Sequence, residues 1–182
     1  MPSQNGNDIE KRLWAAANNL WANTGLKPSE FSTPVLGLVF LRYADNKFSE
    51  VAATLKDKKS SRRRVQGNKT TYQAQKAIYL PEKARFSYLQ NLAEGEDIGK
   101  AINEAMRLIE QENEDLKGVL PKNYNQIKDW ILIELLKLLG PVEIEGDAFG
   151  KIYEYFLGNF AMSEGRNGGV FYTPTSIVKL IV

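Results

Sequence analysis

The chain has 182 residues, a formal net charge of +2, and neither cysteine nor histidine. Its length suits one domain, or one domain and the start of a second. The lack of cysteine excludes a disulfide scaffold and thiolate metal or redox sites, and the lack of histidine excludes His-dependent triads and histidine zinc sites. Because the net charge is small, a nucleic-acid surface would have to come from clustered basic residues.

The sequence also argues against a membrane-spanning or secreted protein. Its apolar runs fall short of the roughly 20 residues that a membrane span needs. The N-terminal residues MPSQNGNDIE are polar and lack the charged and then apolar layout of a signal peptide. We therefore expect a soluble, cytoplasmic protein with no membrane partner.

Two helices are predicted in the N-terminal part of the chain. The first follows a cap at Asn7 or Asp8 and ends near Gly25, a residue suited to the left-handed position after a helix. The second is predicted to start at residues 32–34 (Ser-Thr-Pro), where hydroxyl caps precede a proline. Its first half is apolar nearly all round, which indicates burial on several sides. Gly37 inside it favours a close helix crossing.

Aromatic residues in this part fall at core-like spacing. We interpret them as packing residues rather than a platform on which bases stack. The residues concerned are Trp14, Trp21, Phe40 and Phe48.

A basic stretch follows the second helix. Residues 56–71 (KDKKSSRRRVQGNKTT) offer little surface to bury, so they predict a solvated, mobile loop. Lysine and arginine also neutralise DNA phosphates, so the same residues are candidate DNA contacts, and both readings stay open. The candidates are Lys56, Lys58, Lys59, Arg62, Arg63 and Arg64.

The rest of the chain predicts further helices and almost no strand, so the fold class is mainly α. One helix opens after Pro81, another follows the acidic residues 94–97, and a third spans 127–139 with a cap at Asn123 or Asn125. A last helix begins at Asp147 and carries a stripe of apolar residues: Phe149, Ile152, Tyr153, Phe156 and Phe160.

The C-terminal stretch GRNGGVFYTPTSIVKLIV combines a glycine turn, two aromatic residues and a helix start at Thr173-Pro174. It runs up to Val182 as an apolar segment, whereas natural termini are usually polar. We expect a larger domain to begin here and to continue past Val182.

Three blocks together resemble the modification (M) subunit of type I restriction-modification systems, an adenine-N6 DNA methyltransferase. They are VLGLVFLRYADNKF at 35–48, the YLPE turn at 79–82, and GDAFGKIYEYFLGNFA at 146–161 followed by GGVFYTP at 168–174. The resemblance implies a helical domain at 1–145, which contacts DNA and other subunits. It also implies the truncated start of a Rossmann-like methyltransferase domain at 146–182.

The resemblance implies that the Phe-Tyr-Thr-Pro element borders an S-adenosylmethionine site. A helix N-terminus offers free N–H groups to the methionine carboxylate, and an aromatic face stabilises the sulfonium. An ordinary glycine turn and capped helix is the alternative from residue types alone. The implied cofactor-binding residues are Gly169, Val170, Phe171, Tyr172, Thr173 and Pro174.

The Asn-Pro-Pro-Tyr/Phe motif of that family, which holds the flipped adenine, is absent from this sequence, as is its Gly-rich loop after a strand. No catalytic residue and no metal ligand is therefore assigned, and the chain is expected to be inactive alone. The implied partners are double-stranded DNA, a specificity (S) subunit and a second M subunit, while participation of a restriction (R) subunit stays open. The competing hypothesis is a freestanding helical DNA-binding or assembly module without enzymatic activity.

Overall fold

The computed structural model describes residues 6–57 and 67–163, and α-helices dominate this part. Three short 3-10 turns lie between them, at Glu82–Ala84, Glu114–Leu116 and Tyr124–Gln126. The described residues contain no strand, which confirms the mainly α prediction. The helices are α1 (Gly6–Ala22), α2 (Pro28–Asp57), α3 (Lys69–Ala74), α4 (Phe86–Gln90), α5 (Ile98–Glu112), α6 (Asp129–Leu139) and α7 (Gly146–Ser163).

Helix α2 is the centre of the packing, and α4, α6 and α7 all lie against it. Every residue from 34 to 41 is buried, as the all-round apolar pattern predicts. The predicted start at residues 32–34 was wrong, because α2 begins at Pro28. There the Glu30 carboxylate reaches back to accept from the backbone N–H of Lys27 at 2.8 Å, which stabilises an earlier first turn.

Aromatic side chains join α1 to α7. Trp14 meets Phe160 edge-to-face at 4.8 Å between ring centroids, and Trp21 packs against the same ring at 5.8 Å. The predicted apolar stripe of α7 is buried throughout. Phe40 and Phe48 are buried too, which confirms the interpretation of these aromatics as packing residues.

The turns around α5 are fixed by buried amides rather than by regular secondary structure. Asn113 accepts from the backbone N–H of Tyr79 at 3.1 Å and donates to its carbonyl at 2.9 Å. Asn103 accepts from the backbone N–H of Tyr124 at 3.0 Å. Asp97 caps α5 by accepting from the N–H of Lys100, as an acidic helix start predicts.

The predicted cap at Asn123 or Asn125 was wrong. Helix α6 begins at Asp129, and no side chain caps it at Lys128. The preceding residues form a 3-10 turn instead. Its first residue, Tyr124, is wholly buried, and its hydroxyl donates to the carbonyl of Pro34 in α2, which holds the turn against that helix. This outcome depends on a contact distant in sequence, which local capping signals do not contain.

Glu110 holds the loop before that turn. Its carboxylate accepts from the Lys122 ammonium at 2.7 Å and from the backbone N–H of Leu120 at 2.9 Å. Burial by itself would raise the pKa of Glu110, but these hydrogen bonds outweigh it and leave the pKa below the usual value.

Candidate functional site

The basic run departs from the C-terminal end of α2. Lys56 is exposed in the last turn of that helix. The other five candidates, Lys58, Lys59, Arg62, Arg63 and Arg64, lie outside the described residues. The expectation of a loop over 56–71 was wrong at both ends, because residues 56–57 belong to α2 and residues 69–71 to α3. Asn68 caps α3 through the N–H of Thr71, a signal that the basic composition concealed.

The two chain segments that flank residues 58–66 are packed against each other. Gly67 lies so close to Leu55 and Tyr72 that a Cβ atom there would overlap both side chains. The Tyr72 ring stacks on Phe48 of α2, with 4.2 Å between ring centroids and 3° between planes. The described residues on either side of the basic run are therefore held close together by side-chain packing.

A buried carboxylate links α2 to another part of the chain. Asp45, with 7% of its side chain exposed, accepts from Arg85 Nε at 2.8 Å and from the backbone N–H of Phe86 at 3.0 Å. Its other oxygen lies 3.5 Å from Arg42. Arg85 also covers the Phe48 ring at 4.4 Å. Asp45 thus links α2 to the start of α4.

The same network reaches the turn between α6 and α7. Arg42 donates from Nε to the carbonyl of Val142 at 3.0 Å, and Asn46 donates to the same oxygen at 3.3 Å. Burial lowers the pKa of Arg42, whereas Asp45 and Glu143 act in the opposite direction. Arg42, Asp45 and Arg85 are paired with one another, so they hold the scaffold together and are not free to act on a substrate.

Sequence reasoning missed the role of Asp45, although a signal was present. Asp45 interrupts an apolar stripe at helical spacing that includes Leu38, Leu41 and Phe48. Acidic residues are almost never fully buried unless paired, so this interruption indicates a buried ion pair. Its partner Arg85 is distant in sequence, and no local pattern identifies it.

An open groove of about 710 Å³ lies between α2 and the start of α7. Tyr43, Lys47 and Glu50 line one side, and residues 143–146 line the other. The predicted cofactor segment, residues 169–174, lies outside the described part of the chain. In the described residues, no helix is long and apolar enough to cross a membrane.

Two family models match consecutive parts of this chain. The model of the HsdM N-terminal domain matches residues 9–138, and the model of the N-6 DNA Methylase family matches residues 144–182. The chain therefore belongs to the HsdM N-terminal domain family.

Two curated relatives make the relationship more specific. The methylase subunit of type I restriction enzyme MjaIX from Methanocaldococcus jannaschii is 31% identical over 195 residues, which cover 96% of this chain and 35% of that protein. The methylase subunit of type I restriction enzyme HindI from Haemophilus influenzae is 37% identical over 99 residues, covering 47% of this chain and 22% of that protein. The chain thus spans about a third of the first relative's length. It corresponds to the N-terminal region of a type I modification (M) subunit, as the sequence blocks predicted.

Proposed function

We propose that this chain is the N-terminal part of an adenine-N6 DNA methyltransferase subunit, which clamps DNA and contacts the specificity subunit of a type I complex. The observation that carries the proposal is the ordered pair of family matches, a helical domain followed by the start of an N-6 DNA methylase domain. A freestanding helical module would explain the first match but not the second. The division at 145/146 is part of this proposal.

S-adenosylmethionine is the methyl donor in the proposed reaction. Residues 169–174 border its site, where the glycines allow close approach of the backbone and the start of a helix favours the methionine carboxylate. Their position within the N-6 DNA methylase match supports this assignment. The sequence contains no Asn-Pro-Pro motif, so this stretch supplies one edge of the pocket and no catalytic residue.

The basic run is the proposed DNA contact. The packing of Gly67 and Tyr72 against α2 keeps both ends of the run near the C-terminal end of that helix. The three consecutive arginines at 62–64 and the lysines at 56, 58 and 59 would neutralise backbone phosphates without reading the bases. Recognition of the target sequence belongs to the specificity subunit.

Replacing Arg62, Arg63 and Arg64 with alanine in the full-length subunit, assembled with its specificity subunit, tests this contact. We expect affinity for duplex DNA to fall roughly tenfold or more at moderate salt. The slope of log K against log salt should shrink by about 2–3, because each lost phosphate contact removes about 0.9. Titration of fluorescent duplex DNA over a salt series measures both quantities.

The control removes the same amount of charge elsewhere. Lys27, Lys117 and Lys151 are exposed in other described parts of the chain, and their triple alanine variant also changes the net charge by three units. It is expected to retain the wild-type slope within about one unit, since only general attraction is reduced. Equal slopes for the two triple variants would reject the basic run as a DNA contact.

A further inference from the structure

Helix α6 carries large apolar side chains on its exposed face as well as on its buried face. Its inner face is fully used, yet Trp130 and Ile133 stand on the outer face with 47% and 37% of their surface exposed. They are three residues apart and therefore neighbours on one side of the helix. Contiguous exposed apolar surface rimmed by polar side chains marks an interaction site, and Ile133 also lines a groove. The buried residues of α6 are Ile131, Leu132, Leu135, Leu136 and Leu139.

Such a groove, about 460 Å³ in volume, runs between α6 and the segment that joins α4 to α5. Leu89, Leu92, Ile98, Ile133 and Leu136 supply its apolar lining. Among the described residues that line it, the charged ones are mostly acidic: Glu94, Glu96 and Asp129 against the cation Lys137. Moreover, Lys137 already pairs with Glu134 at 3.3 Å.

The acidic lining favours one kind of ligand for this groove over a nucleic acid or a second copy of the chain. A nucleic acid would bring phosphates against three carboxylates, and like charges at close range are unfavourable. A second copy of the chain docked through the same groove would oppose two acidic surfaces. Apart from Trp130 and Ile133, the large exposed hydrophobic side chain among the described residues is Met162, which lies alone at the end of α7 and offers no second apolar surface for a copy of the chain to bind. A segment that combines an apolar side chain with flanking Lys or Arg residues fits both the lining and the charge.

We infer that the α4–α6 groove, together with Trp130 and Ile133, docks a segment of the specificity subunit in which Lys or Arg residues flank an apolar side chain. This inference rests on the proposed function, which supplies the partner protein. Trp130 is the expected anchor, because tryptophan is enriched among the residues that carry most of the binding energy of an interface. The carboxylates provide orientation and faster encounter rather than most of the affinity.

The test uses the full-length M subunit and its specificity subunit, and measures their affinity by light scattering and titration. We expect the double substitution Trp130→Ala/Ile133→Ser to weaken assembly by roughly thirty-fold or more, as loss of an interface anchor does. Glu94→Lys/Glu96→Lys should weaken it roughly tenfold, with less loss at high salt. Since all four side chains are exposed, the melting temperature should stay close to that of the wild type.

Met162→Ala is the matched control, since it removes a large exposed hydrophobic side chain, 78% accessible, outside the groove. It should assemble with wild-type affinity. Wild-type affinity of the Trp130/Ile133 variant, with normal methylation by the wild-type pair, would overturn the docking site and leave the proposed function standing. Failure of the wild-type subunits to associate at all would overturn both. A variant that loses M–M association and keeps M–S association would assign the groove to a second copy and contradict the inference.

Discussion

Replacing Asp45 with alanine is expected to lower the free energy of unfolding by about 3–5 kcal/mol, the usual cost of removing one partner from a buried ion pair. Arg85 would lose its 2.8 Å contact, and the backbone N–H of Phe86 would lose its acceptor. The Phe86 N–H is buried and the Arg85 side chain is only 26% exposed, so water would replace the carboxylate only in part. Denaturant unfolding, followed by circular dichroism, measures the change.

Two controls separate the network from general effects of charge. Asp45→Asn keeps an acceptor for the Phe86 N–H and should cost less, about 1–2 kcal/mol. Glu50→Ala removes an exposed carboxylate from the same helix, where it pairs with Lys47 at 3.4 Å, and should cost less than about 0.5 kcal/mol. Equal losses in the free energy of unfolding for Asp45→Ala and Glu50→Ala would show that the buried ion pairs contribute no more than an exposed one.

Gly37→Ala is the second substitution with a large expected effect. Although alanine is the better helix former by about 1 kcal/mol, its Cβ would overlap the Tyr124 hydroxyl and the Pro121 ring. Tyr124 is buried with its hydroxyl donating to the Pro34 carbonyl at 2.7 Å, and burial raises its pKa well above the usual value. We expect a net loss of about 2–3 kcal/mol in the free energy of unfolding from overpacking and the displaced hydrogen bond.

Gly158 provides the matched control for this prediction. It also lies inside a helix, but in the described part of the chain no atom beyond its neighbours and the nearby backbone of its own helix lies within 4 Å of the position of an added Cβ. Gly158→Ala should therefore stabilise the protein by about 0.5–1 kcal/mol. Adding Tyr124→Phe to Gly37→Ala removes the overlapping hydroxyl and should recover part of the loss. Stabilisation by Gly37→Ala, measured in the same denaturant series, would contradict the close contact.

Residue patterns predicted the elements that depend on local periodicity. The apolar first half of α2 and the stripe of α7 appear as expected, and Gly25 has the left-handed backbone of a helix terminator, with φ of +68°. Gly37 permits a close approach, but the predicted helix crossing was wrong, because the contacts come from Pro121 and from Tyr124 in a 3-10 turn. Periodicity identifies which face is buried but not what covers it.

Two of the misses have the same physical cause, which is that contacts distant in sequence override local preferences. Tyr124 enters the core beside α2 and converts a predicted helix start into a 3-10 turn. The Asp45–Arg85 pair joins residues 40 positions apart, so no single stretch reveals it. The missed helix α3 is different, because its local signals, the Asn68 cap and the buried Tyr72, were present in the sequence and were overlooked in a basic stretch. The predicted cofactor and arginine contacts lie outside the described residues and stay proposals.

Methyl transfer from S-adenosylmethionine to duplex DNA tests the central claim most directly. The full-length subunit carrying this N-terminal region, assembled with its specificity subunit, should produce N6-methyladenine that nucleoside mass spectrometry detects. The 182-residue chain alone, which lacks the Asn-Pro-Pro motif, should produce none. Methylation at cytosine, transfer by the chain alone, or no transfer by a folded and DNA-bound complex would contradict the account.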